Sequence, residues 1–166
     1  MLRRVCSRGI VWLLLVVGLV ACTSPQERSV ALTTEILQGL PLPDGATLLY
    51  SNEFERLAKT GIGTHFGVRG LYGCNADYAW VVEQHRELLR STGWIEYAPI
   101  DTDNPLFCNF DHEGVRLSLV RLGDLEDGTL SITDSLLSEY EATHRTLYVV
   151  TVVHFPFDDI GCGQTP

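Results

Sequence analysis

The side chains best suited to metal chemistry lie on predicted loops of this 166-residue chain. Carboxylate oxygens and an imidazole nitrogen can together hold a divalent cation, and a bound cation can activate water for hydrolysis. No two of the five histidines are four or fewer residues apart, so the sequence contains no local pair of metal-binding histidines. The weak candidate ligands are Asp101, Asp103, Asp111, His112 and Glu113.

These acidic stretches match calcium-binding loops poorly. Asp101 and Asp103 resemble the start of such a loop, but Leu106 and His112 occupy the positions that require Gly and Glu. A polar hairpin turn explains the segment around His112 as well as a metal site does. The chain also lacks a Gly-x-Ser-x-Gly elbow and a phosphate-binding glycine loop. We therefore predict no catalytic residue and no cofactor, and we expect a protein that is not an enzyme.

The amino terminus has the pattern of an export signal. Arg3, Arg4 and Arg8 precede the apolar run Ile10–Val20, which is shorter than the roughly 20 residues that a membrane-spanning helix needs. The run ends in Leu19–Cys22, with Leu at −3 and a small residue at −1, and this segment resembles the lipobox of bacterial lipoproteins. The resemblance implies cleavage before the cysteine and a diacylglycerol on its sulfur. The alternative is a secretory signal without lipid.

The lipobox defines the expected organisation of the chain. Residues 1–21 are predicted to be the signal peptide, residues 22–41 the lipidated Cys22 with a tether, and residues 42–166 a single extracytoplasmic α+β domain. Within the tether, residues 23–29 are expected to be flexible and residues 30–40 to form one or two helical turns that stop at Gly39. The expected location is the bacterial cell membrane, with the domain anchored by lipid and facing the extracytoplasmic side.

The charge balance limits the possible partners. The leader contains three of the 12 basic residues and none of the 21 acidic ones, so the mature chain carries a net charge of −12. This charge argues against nucleic acid, whose phosphates need cations, and against an additional electrostatic attachment to anionic headgroups. An acidic, self-repelling, soluble surface explains the composition without any ligand. The lipid bilayer, contacted through acylated Cys22, is the expected partner, and an envelope protein or a small molecule remains open.

Hydrophobic periodicity predicts the secondary structure of the domain. Strands are expected over residues 46–51, 64–72, 94–99, 106–110, 115–122 and 146–155, with a possible helix over 52–60. Helices are expected over 75–92, closed by Gly93, and over 133–144. The last strand is apolar on both faces, which is typical of a strand that is covered on both sides or central in its sheet. The glycines of the 64–72 strand predict bulges or a bend.

The order of these elements predicts a ferredoxin-like α+β fold. It consists of an antiparallel sheet with two helices on one face and an extra N-terminal strand. The sheet face that the helices leave open is the expected binding cleft. Tyr50, Tyr72 and Trp80 are candidate surface aromatics for that cleft.

Three cysteines remain after Cys6 is removed and Cys22 is lipidated. Cys74, Cys108 and Cys162 allow one disulfide and one remaining thiol, in a compartment that favours oxidation. The predicted fold places Cys74 and Cys108 toward the same end of the sheet, which favours that pair. Cys162 is the alternative partner for either.

Two further motifs are similar to those of small, uncharacterised bacterial lipoproteins. Residues 41–46 (Pro-Leu-Pro-Asp-Gly-Ala) resemble the family's Pro-x-Pro-x-Gly-Ala segment. His85-Arg86-x-x-Leu89-x-x-x-Gly93-Trp94 resembles a family helix ending that usually has Tyr in place of His85. The resemblance implies a secreted α+β domain without a known activity.

The expected function is therefore a membrane-anchored, non-catalytic binding or envelope-support module. The alternatives are a cation-dependent envelope hydrolase and an accessory or inhibitory subunit of an envelope complex.

Overall fold

The computed structural model describes residues 24–57, 64–97, 103–109, 111–112, 114–125 and 130–155, which form an α+β fold around one antiparallel sheet. The helices are α1 (Pro25–Gln38), α2 (Tyr78–Ser91) and α3 (Asp134–Thr143). The strands are β1 (Thr47–Leu57), β2 (Thr64–Cys74), β3 (Trp94–Tyr97), β4 (Leu106–Asn109), β5 (Val115–Arg121) and β6 (Thr146–His154). A 3₁₀ turn, Leu122–Asp124, follows β5. Within the described residues, no helix is long and apolar enough to cross a membrane.

The last strand lies at the centre of the sheet. The strand order is β1-β2-β6-β5-β4-β3, and every neighbouring pair is antiparallel. Val149 and Val150 point to opposite faces of β6 and both are fully buried, as the two-sided apolar pattern predicts. The ferredoxin-like order is not observed, because that fold places its last strand at an edge, whereas β6 lies between β2 and β5.

The helices are divided between the two faces of the sheet. Val81 and Leu89 of α2 and Leu37 of α1 pack in one core with Tyr148 of β6. The second core, on the opposite face, contains Leu71 and Val149 beneath α3. The prediction that α2 and α3 share a face is therefore wrong. Because β6 has apolar residues on both faces, α2 packs on one face and α3 packs on the other.

The helical turns predicted over residues 30–40 belong to a longer helix that also occupies most of the segment expected to be flexible. Ser24 and Glu27 form a capping box: the Ser24 hydroxyl accepts from the Glu27 N–H at 3.1 Å, and the Glu27 carboxylate accepts from the Ser24 N–H at 2.7 Å. Pro25 occupies the first helical turn, where its missing N–H costs nothing. The helix α1 therefore begins at residue 25, and its Ser29 and Thr33 are buried against the sheet.

The predicted 52–60 helix is also wrong for its described residues. Residues 52–57 continue β1, which pairs with β2 from Thr47 opposite Gly73 to Leu57 opposite Thr64. The strand β2 itself is unbroken, and the irregularity in the pairing lies in β1 between Leu48 and Tyr50. Neighbouring rings fill the space above the β2 glycines, so the expected bend does not occur: Phe54 lies above Gly67, Tyr72 above Gly70 and His144 above Gly73.

Other local predictions are confirmed. The helix α2 ends before Gly93, whose φ of +84° suits glycine, and Thr133 caps α3 by accepting from the Leu136 N–H. The 106–110 and 115–122 segments pair as β4 and β5.

His85 is completely buried on the inner side of α2. Its Nε2 atom lies 3.1 Å from the Tyr148 hydroxyl, and its Nδ1 atom has no partner within the described residues. Burial lowers the pKa of His85 to about 4, because the apolar core disfavours the charged imidazolium. The core thus holds a neutral histidine at physiological pH.

This burial predicts an acid-dependent loss of stability. The unfolded histidine gains its proton near pH 6.5 and the folded one near pH 4, so the free energy of unfolding should fall across that window as pH drops. The full loss is roughly 3 kcal/mol, and His85→Leu should abolish this part of the pH slope. Urea titrations at several pH values measure this pH dependence of the free energy of unfolding, with His112→Gln in an outer turn as the control. Equal slopes for wild type and His85→Leu would contradict the assignment.

Candidate functional site

The most distinctive surface is an open part of the sheet face that also carries α3. The α3 core covers that face near Leu71 and Val149. Farther along the strands the same face forms a groove of about 340 Å³, which we call the arginine groove. Its floor consists of Ser118 and Val120 from β5 and Thr151 and Val153 from β6.

One wall of the arginine groove is a stack of three residues. Phe54 of β1 pairs with Gly67 of β2, and its ring lies over the glycine where a side chain would otherwise stand. The Arg69 guanidinium lies 3.8 Å from the centre of the Phe54 ring, a cation–π contact. The aromatic ring therefore supports the guanidinium at the edge of the groove.

A second arginine lies close to the first. Arg56 belongs to the same face of β1 as Phe54, two residues farther along the strand. Burial, and then the positive charge of Arg56, lower the pKa of Arg69 from its ordinary value. An arginine side chain carries a positive charge in folded proteins. An anion between them would relieve the repulsion and accept hydrogen bonds from both guanidinium groups.

A second aromatic cluster borders the groove at the end of β6. The Phe155 ring lies 4.3 Å from the His65 ring, and the Arg116 guanidinium lies 4.7 Å from the centre of the Phe155 ring. The Phe155 N–H donates to the Gly114 carbonyl at 2.9 Å, which holds the ring in place. Three of the eight arginines in residues 22–166, namely Arg56, Arg69 and Arg116, thus lie on this part of the sheet.

Carboxylates are largely directed away from the groove. Asp124 is the one carboxylate among its described lining residues. Glu53 and Glu55 alternate with Phe54 and Arg56 along β1, so they belong to the other face of the strand. Although the chain as a whole is acidic, arginines outnumber carboxylates among the described residues that line this groove.

A larger cleft of about 820 Å³ lies toward the other end of the sheet, beside α3. Arg145 forms an ion pair with Asp77 there at 2.6 Å, and the Arg121 guanidinium lies 4.8 Å from the centre of the Tyr78 ring. Its lining also contains Asp77, Asp134 and Glu141, so carboxylates outnumber arginines by one. The cleft is larger, but it does not favour an anion as the arginine groove does.

The predicted metal ligands do not come together among the described residues. Asp103 and Asp111 lie at opposite ends of β4, and no group of three or more His, Cys, Asp or Glu side chains in the described ranges is placed to hold a metal ion. The Asp111 N–H donates to Asn109 Oδ1 at 2.8 Å, and the Val115 N–H donates to the His112 carbonyl at 3.0 Å, as in a hairpin turn. Asp101 and Glu113 lie outside the described residues.

The cysteines do not pair as expected. Cys74 is a free thiol buried in the core, whereas Cys108 is disulfide-bonded. The favoured Cys74–Cys108 bond is therefore wrong: Cys74 lies on β2 and Cys108 on β4, two strands that β6 and β5 separate. Pairing of Cys108 with Cys162 stays a prediction, because Cys162, like Cys22, lies outside the described residues.

The predicted surface aromatics are only partly exposed. Tyr72 is buried, Tyr50 is half-buried and donates to the Ser131 carbonyl at 2.7 Å, and Trp80 is exposed on α2. The aromatic residues of the groove are instead Phe54 and Phe155. Phe54 faces the groove because residues 52–57 form a strand. The alternating faces of Glu53–Arg56 are compatible with a strand, but the charged composition of this segment favours a helix.

Comparisons of the chain with protein-family models, with curated proteins and with solved structures find no match. Its function is therefore inferred from the leader sequence and from the site.

The Phe54–Gly67–Arg69 stack makes a testable prediction about stability. A Cβ atom at Gly67 would lie 2.5 Å from the Val152 carbonyl oxygen and 2.7 Å from Phe54 Cζ. Gly67→Ala should therefore lower the free energy of unfolding by about 1–3 kcal/mol, through overpacking, and displace Phe54. Gly123→Ala is the matched control, since no heavy atom lies within 4 Å of its Cβ position. If chemical denaturation gave the two variants the same stability, the packing described for Phe54 would be wrong.

Proposed function

We propose that the chain is a bacterial lipoprotein, anchored through acylated Cys22 on the extracytoplasmic side of the cell membrane. Its domain acts as a non-catalytic binding module whose arginine groove takes an anionic group of a ligand. The anchor is supported by the basic, apolar and lipobox segments of residues 1–22. The binding role is supported by one observation above all: two neighbouring arginines, Arg56 and Arg69, on an open sheet face of an acidic chain.

The chemistry of the groove favours a phosphate or a carboxylate. A guanidinium presents parallel N–H donors that match two oxygens of such a group. The Phe54 ring supports the guanidinium of Arg69. The Ser118 and Thr151 side chains on the floor add neutral hydrogen-bonding groups beside the two charges. Apolar lining from Val120 and Val153 would contact a less polar part of the ligand.

Mass spectrometry of the protein purified from membranes tests the anchor. The mature chain should begin at Cys22, carry a diacylglyceryl group and partition into a detergent phase, whereas Cys22→Ser should carry no lipid. Alkylation after unfolding without reductant should then label Cys74 alone, if Cys108 pairs with Cys162. The control Cys74→Ser should keep the lipid. An amino-terminal cysteine with a bare thiol would refute the anchor.

Titration of the processed protein with inorganic phosphate, pyrophosphate and citrate tests the groove. Calorimetry or NMR should show saturable binding of at least one of these anions. Arg69→Gln should weaken it about tenfold or more, because a charge-assisted hydrogen bond is lost. Arg145→Gln is the control, an exposed arginine far from the groove. Equal affinities for the two variants, or no binding by the wild type, would refute an anion site here.

A further inference from the structure

The folded body begins almost at the proposed anchor. Ser24 is fixed as the cap of α1, so Thr23 alone separates it from Cys22. Two residues of extended chain reach at most about 7 Å. The domain therefore cannot stand off from the lipid on a tether, and the sheet end nearest Ser24 must lie close to the bilayer.

One hydrogen bond identifies that end of the sheet. Ser29 Oγ lies 2.8 Å from His154 Nδ1, which joins the second turn of α1 to the last residue of β6. Ser24 is about 8 Å from Ser29 along the helix axis, so the anchor lies within roughly 20 Å of His154. We call the end of the sheet at which β6 ends and β2 begins the anchor end.

The cations of the arginine groove lie toward this same end. Arg56 pairs with His65 in the last pairs of β1 with β2, and Arg116 is the second residue of β5. The anchor end also has acidic side chains: Glu53 and Glu55 belong to the other face of β1, and Glu27 is engaged in the α1 cap. Among the described residues, the groove face is therefore the more cationic side of the anchor end.

We infer that the arginine groove binds the phosphate groups of anionic phospholipids in the membrane that holds the anchor, with the anchor end turned toward the bilayer. This inference deepens the proposed function and rests on it, because it requires lipid on Cys22. The potential of an anionic surface acts within a Debye length, about 8 Å at physiological salt. The short connection at residue 23 keeps the anchor end on the membrane side of the domain, and an arginine that enters that layer contributes about fivefold to binding.

The test uses the processed, lipidated protein in nanodiscs whose lipids carry a headgroup-attached fluorescence quencher. Fluorophores are placed through Glu55→Cys at the anchor end, and through Asp44→Cys in the turn before β1. The eight residue steps along the strand from Thr47 to Glu55 separate the two labels by about 27 Å. The label at residue 55 should be quenched several-fold more than the label at residue 44. The difference should be larger in discs that contain phosphatidylglycerol than in purely zwitterionic discs.

Arginine variants separate electrostatic binding from the effect of the anchor alone. Arg56→Gln with Arg116→Gln should remove the gain that phosphatidylglycerol produces, whereas Arg145→Gln, at the far end of β6, should retain it. Equal quenching at residues 44 and 55 would overturn the inference. Quenching at residue 55 that changed neither with lipid charge nor with the arginine substitutions would also overturn it. A protein that lacks lipid on Cys22 and stays out of the discs would instead refute the proposed anchor. Loss of free-anion binding would refute the proposed groove, so these failures are distinguishable.

Discussion

Burial of β6 on both faces is the constraint on which the rest of the structure depends. A strand with Leu147 and Val149 on one face and Tyr148 and Val150 on the other needs a hydrophobic cover on each side. The helices α1 and α2 provide the cover on one side, and the shorter α3 provides it on the other. Because α3 spans ten residues, it covers only part of its face. The part that it leaves open is the arginine groove.

The groove shows how this fold holds like charges together. Arg69 lies on the Phe54 ring and Arg116 on the Phe155 ring, so each guanidinium loses water on one side to an aromatic face that favours a cation. The missing side chain of Gly67 makes room for Phe54. These contacts orient the two arginines before any ligand is bound, which lowers the entropic cost of binding an anion.

Sequence patterns predicted the elements better than their arrangement. Periodicity located α2 and its buried His85, and the two-sided apolar pattern of residues 146–155 indicated a central strand. The strand order was predicted wrongly because it depends on pairing between strands that are far apart in the sequence. Local hydrophobic periodicity contains no information about that pairing. The α1 start was readable as Ser24-Pro-x-Glu27, a capping box, although the polar composition suggested a tether. The groove could not be predicted from the sequence, because its aromatic and basic residues come from β1, β2, β5 and the residue that follows β6.

The charge of the chain illustrates why composition alone is a poor guide to partners. A net charge of −9 argues against contact with anionic lipid if the charges are spread evenly over the surface. A strand separates alternate residues onto two faces, so β1 places Glu53 and Glu55 on one side and Arg56 on the other. Over distances beyond about 8 Å, solvent ions screen the rest of the protein. A phosphate at the surface therefore interacts mainly with the charges on the nearest face of the sheet. The alternation of residues along the strand decides the sign of those charges.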